Sequence, residues 1–353
     1  MPTISPQQLT KLSEAIFQAA GVPANESEIV SKSLVLSNLC GHDSHGVIRI
    51  PQYVGFLESG KLVSPVDLTV FQETPAMVAA DGNWGIGQVQ TYRLLDQLLP
   101  KCQALGIASG TLRRTGHIGR LGEYAEWAAR NECVLFCTVN SHGSGRRVAP
   151  PGGTEGRIST NPICFGVPTA KDPVVLDFST SVCAEGKVRV ASQKGEQIPE
   201  GWVLDASGNP TTDPNALYAD PPGSILPFGG NQGYKGFGLG LVMDLLAGSL
   251  SGGECSRPDR PMPGLGNSAV FVLFSIKHFG GSEHFLSTAT NLTEFVRSSA
   301  RREGVSQITL PGDPERTVRA SRESTGIDIP DGTWKLIAET ATKRNVSVEE
   351  FLV

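Results

Sequence analysis

The sequence has no tract of consecutive lysines and arginines, and its 30 Lys+Arg against 35 Asp+Glu leave a net charge of -5. Without a basic field to attract phosphate backbones or anionic lipid, nucleic acid and membrane surfaces are excluded as partners and small molecules are favoured. Long apolar runs are missing too: stretches such as 269–274 are far too short to span a bilayer. The opening residues, Met1 to Pro6, carry neither a basic nor an apolar targeting region, so the expected location is the cytoplasm. No Cys-x-x-Cys occurs among the seven cysteines, and most sit in apolar surroundings, as Cys133, Cys137 and Cys164 do. Buried free thiols of a reducing compartment are the expectation.

What remains is 39% hydrophobic over 353 residues, enough for a sizeable core and about two domains. Ser5-Pro6-Gln7-Gln8 is a capping box with proline at the first helical position, followed by Leu9, Leu12 and Ile16 and a stop at Gly21. Asn25 reads as the N-cap of a second helix, with Glu28 three residues on and Gly41 as its stop. From about residue 75 short apolar runs alternate with amphipathic ones. Strands are expected at 77–80, 107–112, 133–140, 162–167, 174–178, 269–276 and 306–310, and helices at 92–105, 119–131, 235–250, 289–302 and 333–343. This is α/β composition. The Pro/Gly-rich loops 150–156, 220–233 and 256–266 are long enough to wall a ligand site.

The densest polar cluster is Gly41-His42-Asp43-Ser44-His45-Gly46-Val47-Ile48-Arg49, beginning where the second helix ends. Three readings apply to it. His42 and His45 with Asp43 could form a metal half-site, although no third ligand is evident. The run could equally be a satisfied polar turn. Alternatively His45 exchanges a proton near neutral pH, with Ser44 as relay and Arg49 forking onto a carboxylate.

Gly116-His117-Ile118-Gly119-Arg120-Leu121-Gly122 stands between a strand and a helix, where backbone N–H groups suit a phosphate or simply make a tight turn. The glycines of Gly82-Asn83-Trp84-Gly85-Ile86-Gly87 run in the reverse order from a dinucleotide fingerprint, which argues against a Rossmann domain. Gly233-Tyr234-Lys235-Gly236 opens another helix with a lysine beside it, again suited to phosphate. Ser141, Thr160 and the run Asp177-Phe178-Ser179 lie at strand ends and are weak signals singly.

Together these segments resemble the malate/L-lactate dehydrogenase family of the sulfolactate, ureidoglycolate and diketogulonate dehydrogenase type. The residues that carry the likeness are 41–46 with Arg49 and Tyr53, 116–119, 160–162, 176–181, 201–205, 211–214 and 233–236. The resemblance implies an α+β fold: a helical domain from both termini (1–74 with 314–353) that contributes the catalytic loop, packed on a largely antiparallel, non-Rossmann NAD(P)-binding domain (75–313). It implies a homodimer or higher oligomer that interconverts a 2-oxo acid and a 2-hydroxy acid with NAD or NADP.

By the same resemblance His45, Ser44 and His117 look catalytic, with His45 and His117 as alternative proton donors. Arg49, Ser141, Thr160, Glu185 and Gly186 are similar to substrate contacts. His117, Ile118, Gly119, Arg120, Leu121, Asp177, Phe178, Ser179, Lys235, Gly236, Pro311, Gly312 and Asp313 are similar to cofactor contacts. No metal is implied. The imine-reducing branch carries His-Gly-Asp where this chain has Glu185-Gly186-Lys187, and the missing Asp argues against reduction of cyclic imino acids, the alternative activity.

Overall fold

The computed structural model describes residues 1–259 and 266–352. Helix α1 (Pro6–Ala19) starts as the capping box requires, with the Gln8 N–H donating to Ser5 Oγ at 3.3 Å. Helix α2 (Ala24–Leu39) departs from expectation at its start, because Pro23 occupies the N-cap and Asn25 falls inside the first turn. Proline's fixed φ already directs the chain into the helix there. The stop is as expected: Gly41 takes φ +80°, a left-handed conformation that glycine adopts without cost. After helix α3 (Ile50–Glu58), the apolar faces of these three helices close on Ile327, Ile329 and Ile337, so both ends of the chain share one core.

The main sheet has seven strands: β1 (Thr69–Thr74), β2 (Met77–Asp81), β3 (Ile107–Thr115), β4 (Cys133–Asn140), β5 (Ile163–Val167), β6 (Val174–Phe178) and β7 (Asn267–Ser275). Their spatial order is β1-β2-β3-β7-β4-β5-β6, and every pair except β2/β3 is antiparallel. The parallel pair is joined through helix α4 (Gly87–Leu105). Helices α4 and α5 (Gly122–Arg130) bury Leu94, Leu98, Tyr124 and Ala128 against Leu112, Leu135 and Phe271. A largely antiparallel sheet with a single such crossover is not a dinucleotide-binding Rossmann sheet. The glycines around 82–87 serve close packing instead: a Cβ on Gly87 would lie 2.3 Å from the His117 carbonyl oxygen.

The run 306–310 forms no strand, contrary to expectation. The bond to edge strand β6 falls just after it, from the Val175 N–H to the Pro311 carbonyl at 3.2 Å, and proline has no N–H with which to continue a ladder. A third core was not foreseen. Val148, Ile158, Val188, Leu217 and Ile225 pack around a three-stranded sheet of Val203–Leu204, Pro210–Thr211 and Ser224–Ile225 and helix α6 (Glu185–Lys194). Helix α7 (Gly233–Leu245) runs on as a π-helical turn, Leu246–Leu250. All seven cysteines are free, and six are buried.

Candidate active site

The three cores meet at a cleft of about 430 Å³. The helical body supplies Ser44, His45, Arg49 and Tyr53; the sheet supplies His117, Ser141, Thr160 and Asn267; the third body supplies Arg147, Glu185, Gly186 and Tyr218. Of the three loops expected to wall a site, only Gly266 lines this cleft; 150–156 and 220–233 fold about the third core, and 260–265 lie outside the described residues.

The loop that carries Ser44 and His45 hangs on Asn38, a buried side chain in the last turn of α2. Its amide donates to Asp43 Oδ1 at 2.6 Å and accepts from the Val47 N–H at 2.8 Å, bracketing His45 from both sides. Arg322 fastens the same turn from outside, bonded to the Asn38 carbonyl and to both Asp43 oxygens. His42 turns away and meets Glu315 at 3.3 Å, so only one of the loop's two imidazoles enters the cleft. Among the described residues no three His, Cys, Asp or Glu side chains cluster as a metal site.

Inside the cleft the His45 and His117 rings lie 5.2 Å apart, tilted by 35°. His45 Nδ1 shares a hydrogen bond with Ser44 Oγ at 2.9 Å, and His117 Nδ1 shares one with the Tyr53 hydroxyl at 2.7 Å. The Gln88 side-chain N–H donates to that hydroxyl at 3.3 Å. With a donor behind it, the Tyr53 hydroxyl turns its proton toward His117, 2.7 Å from Nδ1 and 3.4 Å from the carbonyl oxygen. A neutral His117 then carries its proton on Nε2, where it is a donor to the cleft. Away from the cleft, Ser33 ties α2 to α5, its hydroxyl donating to buried Glu123 at 2.5 Å.

Burial, reinforced by the Arg49 guanidinium, lowers His45 to about 3 and holds His117 well below the ordinary imidazole range. Both rings are neutral at physiological pH. Unfolded imidazoles bind protons below about pH 6.5 while these folded ones resist, so the unfolded state gains protons as pH falls. Stability is expected to drop from pH 6.5 toward 5 by up to about 1.4 kcal/mol per pH unit for each ring. Thermal unfolding across that range should have a shallower acid slope in His117→Asn than in the unaltered protein, and equal slopes would contradict the assignment.

Arg49 is anchored by Nε to the Ser44 carbonyl at 2.7 Å and by Nη1 to Gln52 at 2.8 Å. Its Nη2 has no partner among the described residues. Gly186 of α6 sits over the loop, where a Cβ would lie 3.1 Å from Ser44 Cβ. Glu185 faces Arg189 at 2.5 Å and accepts from the Tyr218 hydroxyl at 2.9 Å, so its charge is already paired. Thr160 and Ser141 line the far wall, Ser141 Oγ within 2.8 Å of Ser159 Oγ.

Of the residues expected at the cofactor only His117 lines this cavity; Asp177, Phe178, Pro311 and Gly312 gather along β6, with Ser179 and Asp313 next to them in the chain, and the rest lie on the loop before α5 and at the start of α7. Ile118 and Leu121 point into the sheet core, and Arg120 is buried against Glu126 at 2.7 Å. Ile118 N–H donates to Asn267 Oδ1, while the N–H groups of buried Gly119 and Arg120 have no acceptor among the described residues. The anion expected at the start of α5 is the chain's own: Asp177 Oδ2 accepts from the Gly122 N–H at 2.7 Å. Phe178 meets Phe228 edge-on at 5.7 Å, and a Cβ on Gly236 would strike the Phe228 carbonyl at 2.2 Å, tying the start of α7 to the end of β6. Ser179 Oγ donates to the Ser181 carbonyl. Lys235 stands on the first turn of α7, which no side chain caps. Asp313 is engaged by Arg297 and Arg316, and Gly312, at φ +93°, packs on Val175 next to Pro311.

Asn38, Gln88, Asn267 and Arg147 were not foreseen. Each is a single polar residue in an otherwise structural segment, and nothing in its local sequence marks it.

The sequence pattern of the family described as malate/L-lactate dehydrogenase matches residues 4–338. An L-lactate dehydrogenase from Cupriavidus necator is 34% identical over 348 residues, covering 98% of this chain and 99% of that protein. The sulfolactate dehydrogenase structure from Methanocaldococcus jannaschii superimposes with a TM-score of 0.88 at 28% identity, covering 100% of both chains. A delta1-piperideine-2-carboxylate reductase from Pseudomonas syringae has a TM-score of 0.84 at 29% identity, over 97% of this chain and 100% of that one. The chain belongs to the malate/L-lactate dehydrogenase family.

Proposed function

We propose that this protein is an NAD(P)-dependent 2-hydroxy acid dehydrogenase that interconverts a 2-hydroxy acid and the 2-oxo acid. The observation that carries the reading is the pair of neutral imidazoles beside a guanidinium with a free edge. Arg49 takes the substrate carboxylate and sets the reacting carbon between the two rings. His45, whose Nδ1–H can donate to Ser44, keeps a lone pair on Nε2 and removes the hydroxyl proton; in reduction it returns one. His117, fixed by Tyr53 as an Nε2–H donor, polarises the same oxygen.

The nicotinamide, when bound, accepts or supplies the hydride. Residues of this chain fit such a group: the acceptor-less N–H groups of Gly119 and Arg120 lie beside His117, and the uncapped start of α7 with Lys235 suits a pyrophosphate.

Reduction of a cyclic imino acid is the second reading, favoured by the reductase among the structural relatives. Against it, Glu185 is bound by Arg189 and Tyr218, so this stretch lends His45 no carboxylate partner. We also assign the enzyme to the cytoplasm, where seven free thiols persist. A homo-oligomer is supported by the exposed Leu241, Val242, Leu245 and Leu250 on the α7 segment. Among the described residues no helix is long and apolar enough to cross a membrane.

The test is loss of 340 nm absorbance from NADH and from NADPH with a panel of 2-oxo acids and one cyclic imino acid. Turnover of an oxo acid is expected. Turnover of the imine alone would replace the reading, and absence of binding to either nucleotide would end it.

A further inference from the structure

Arg147 lines the active cleft and belongs to none of the roles assigned above. Its backbone is rigidly held, the N–H donating to the Ile158 carbonyl at 3.0 Å and the carbonyl accepting from Ile225 at 2.7 Å. Its guanidinium lies 5.4 Å from the centre of the Tyr218 ring and spends one donor, Nη1, on the Leu217 carbonyl at 3.1 Å. No carboxylate pairs with it among the described residues.

The charges around it do not cancel. Glu185 is neutralised by Arg189, with which it makes two contacts, at 2.5 and 3.3 Å, and it also accepts the Tyr218 hydroxyl. Arg49 is matched by the substrate's reacting carboxylate in the function proposed above. Once that carboxylate is in place, the cleft retains one positive charge, carried by a half-buried guanidinium with Nε and Nη2 unoccupied. A partly desolvated cation in a ligand cleft is stabilised by an anion of the ligand. The Ser141 and Ser159 hydroxyls, 2.8 Å apart on the same wall, add neutral donors.

We infer that Arg147 is a specificity-determining residue that binds a second anionic group of the substrate, so that the preferred substrate is a 2-hydroxy or 2-oxo acid with a distal carboxylate or sulfonate. The inference rests on the hydroxy acid reading and selects within it.

The experiment compares kcat/KM for oxaloacetate and pyruvate in the unaltered enzyme, in Arg147→Met and in Arg147→Lys. The dianion is expected to be preferred, and the preference to fall at least about 10-fold in Arg147→Met, chiefly through KM, with Arg147→Lys between the two. Equal use of both acids by the unaltered enzyme, or a ratio untouched by Arg147→Met, would overturn the inference while leaving the dehydrogenase reading intact. A readout without turnover is the affinity for L-malate against L-lactate, followed by tryptophan fluorescence. Tighter malate binding that Arg147→Met abolishes supports the subsite even if oxaloacetate and pyruvate are both inert, and equal affinities reject it.

Discussion

His45→Asn is expected to lower kcat for hydroxy acid oxidation by at least about 10²-fold while leaving the dissociation constant for NAD(P)H nearly unchanged. The asparagine keeps a polar side chain against Ser44 but cannot take up a proton. The expected separation between turnover and cofactor affinity rests on position: His45 is bound to Ser44 in the cleft, whereas Asp177 and Gly312, which the resemblance implies for the cofactor, make their contacts along β6 outside it. The pH profile sharpens the test. With His45 lowered to about 3 in the free enzyme, oxidation keeps its base at all ordinary pH values, and kcat/KM should stay flat on acidification to about pH 5. Reduction needs the protonated ring, so its kcat/KM should fall as pH rises. Near-normal turnover in His45→Asn would transfer proton exchange to His117 and make the Tyr53 contact a means of tuning a base.

How much of this was legible beforehand depends on how local each signal is. Capping at Ser5, the left-handed stop at Gly41 and the strands 133–140 and 174–178 are written in neighbouring residues, and the structure reproduces them. Asn25 misled because a good N-cap residue sits two positions after a proline that already starts the helix. The run 306–310 has strand composition but faces an edge that proline ends. Helix α6 was missed since only Val188 of its ten residues is buried, leaving almost no apolar periodicity to read. At the site, the histidines, Ser44 and Arg49 stand out by density of chemistry. Asn38, Arg147 and the Tyr53–His117 bond depend on pairings across 64 or more residues or on the course of a loop, which no spacing rule encodes. Of the positions that the resemblance implies for the cofactor, Ile118 and Leu121 pack their side chains into the sheet core and so shape the loop from that side.

Gly46→Ala is expected to cost stability and activity together, for a reason with no parallel in the surrounding glycines. Gly46 has φ -89°, which any residue adopts, so the backbone itself is not strained by a side chain. The obstacle is Asn38: an added Cβ would lie 2.1 Å from its Oδ1, 2.4 Å from Cγ and 2.7 Å from Nδ2. That amide cannot swing aside without releasing the Val47 N–H and the Asp43 carboxylate it holds. Overpacking and a buried donor left unpaired predict a loss of about 2–5 kcal/mol, read by urea unfolding. Because the displaced segment carries Ser44 and His45, kcat should fall by roughly 10²-fold as the base leaves its alignment. The double variant Asn38→Ala/Gly46→Ala separates clash from lost bonding. Removing the amide removes all three clashing atoms, so the double variant should be about as stable as Asn38→Ala alone, a strongly non-additive cycle. Additive losses would mean that the alanine methyl meets something other than Asn38, and unchanged stability and kcat in Gly46→Ala would show that the loop is not held by that amide.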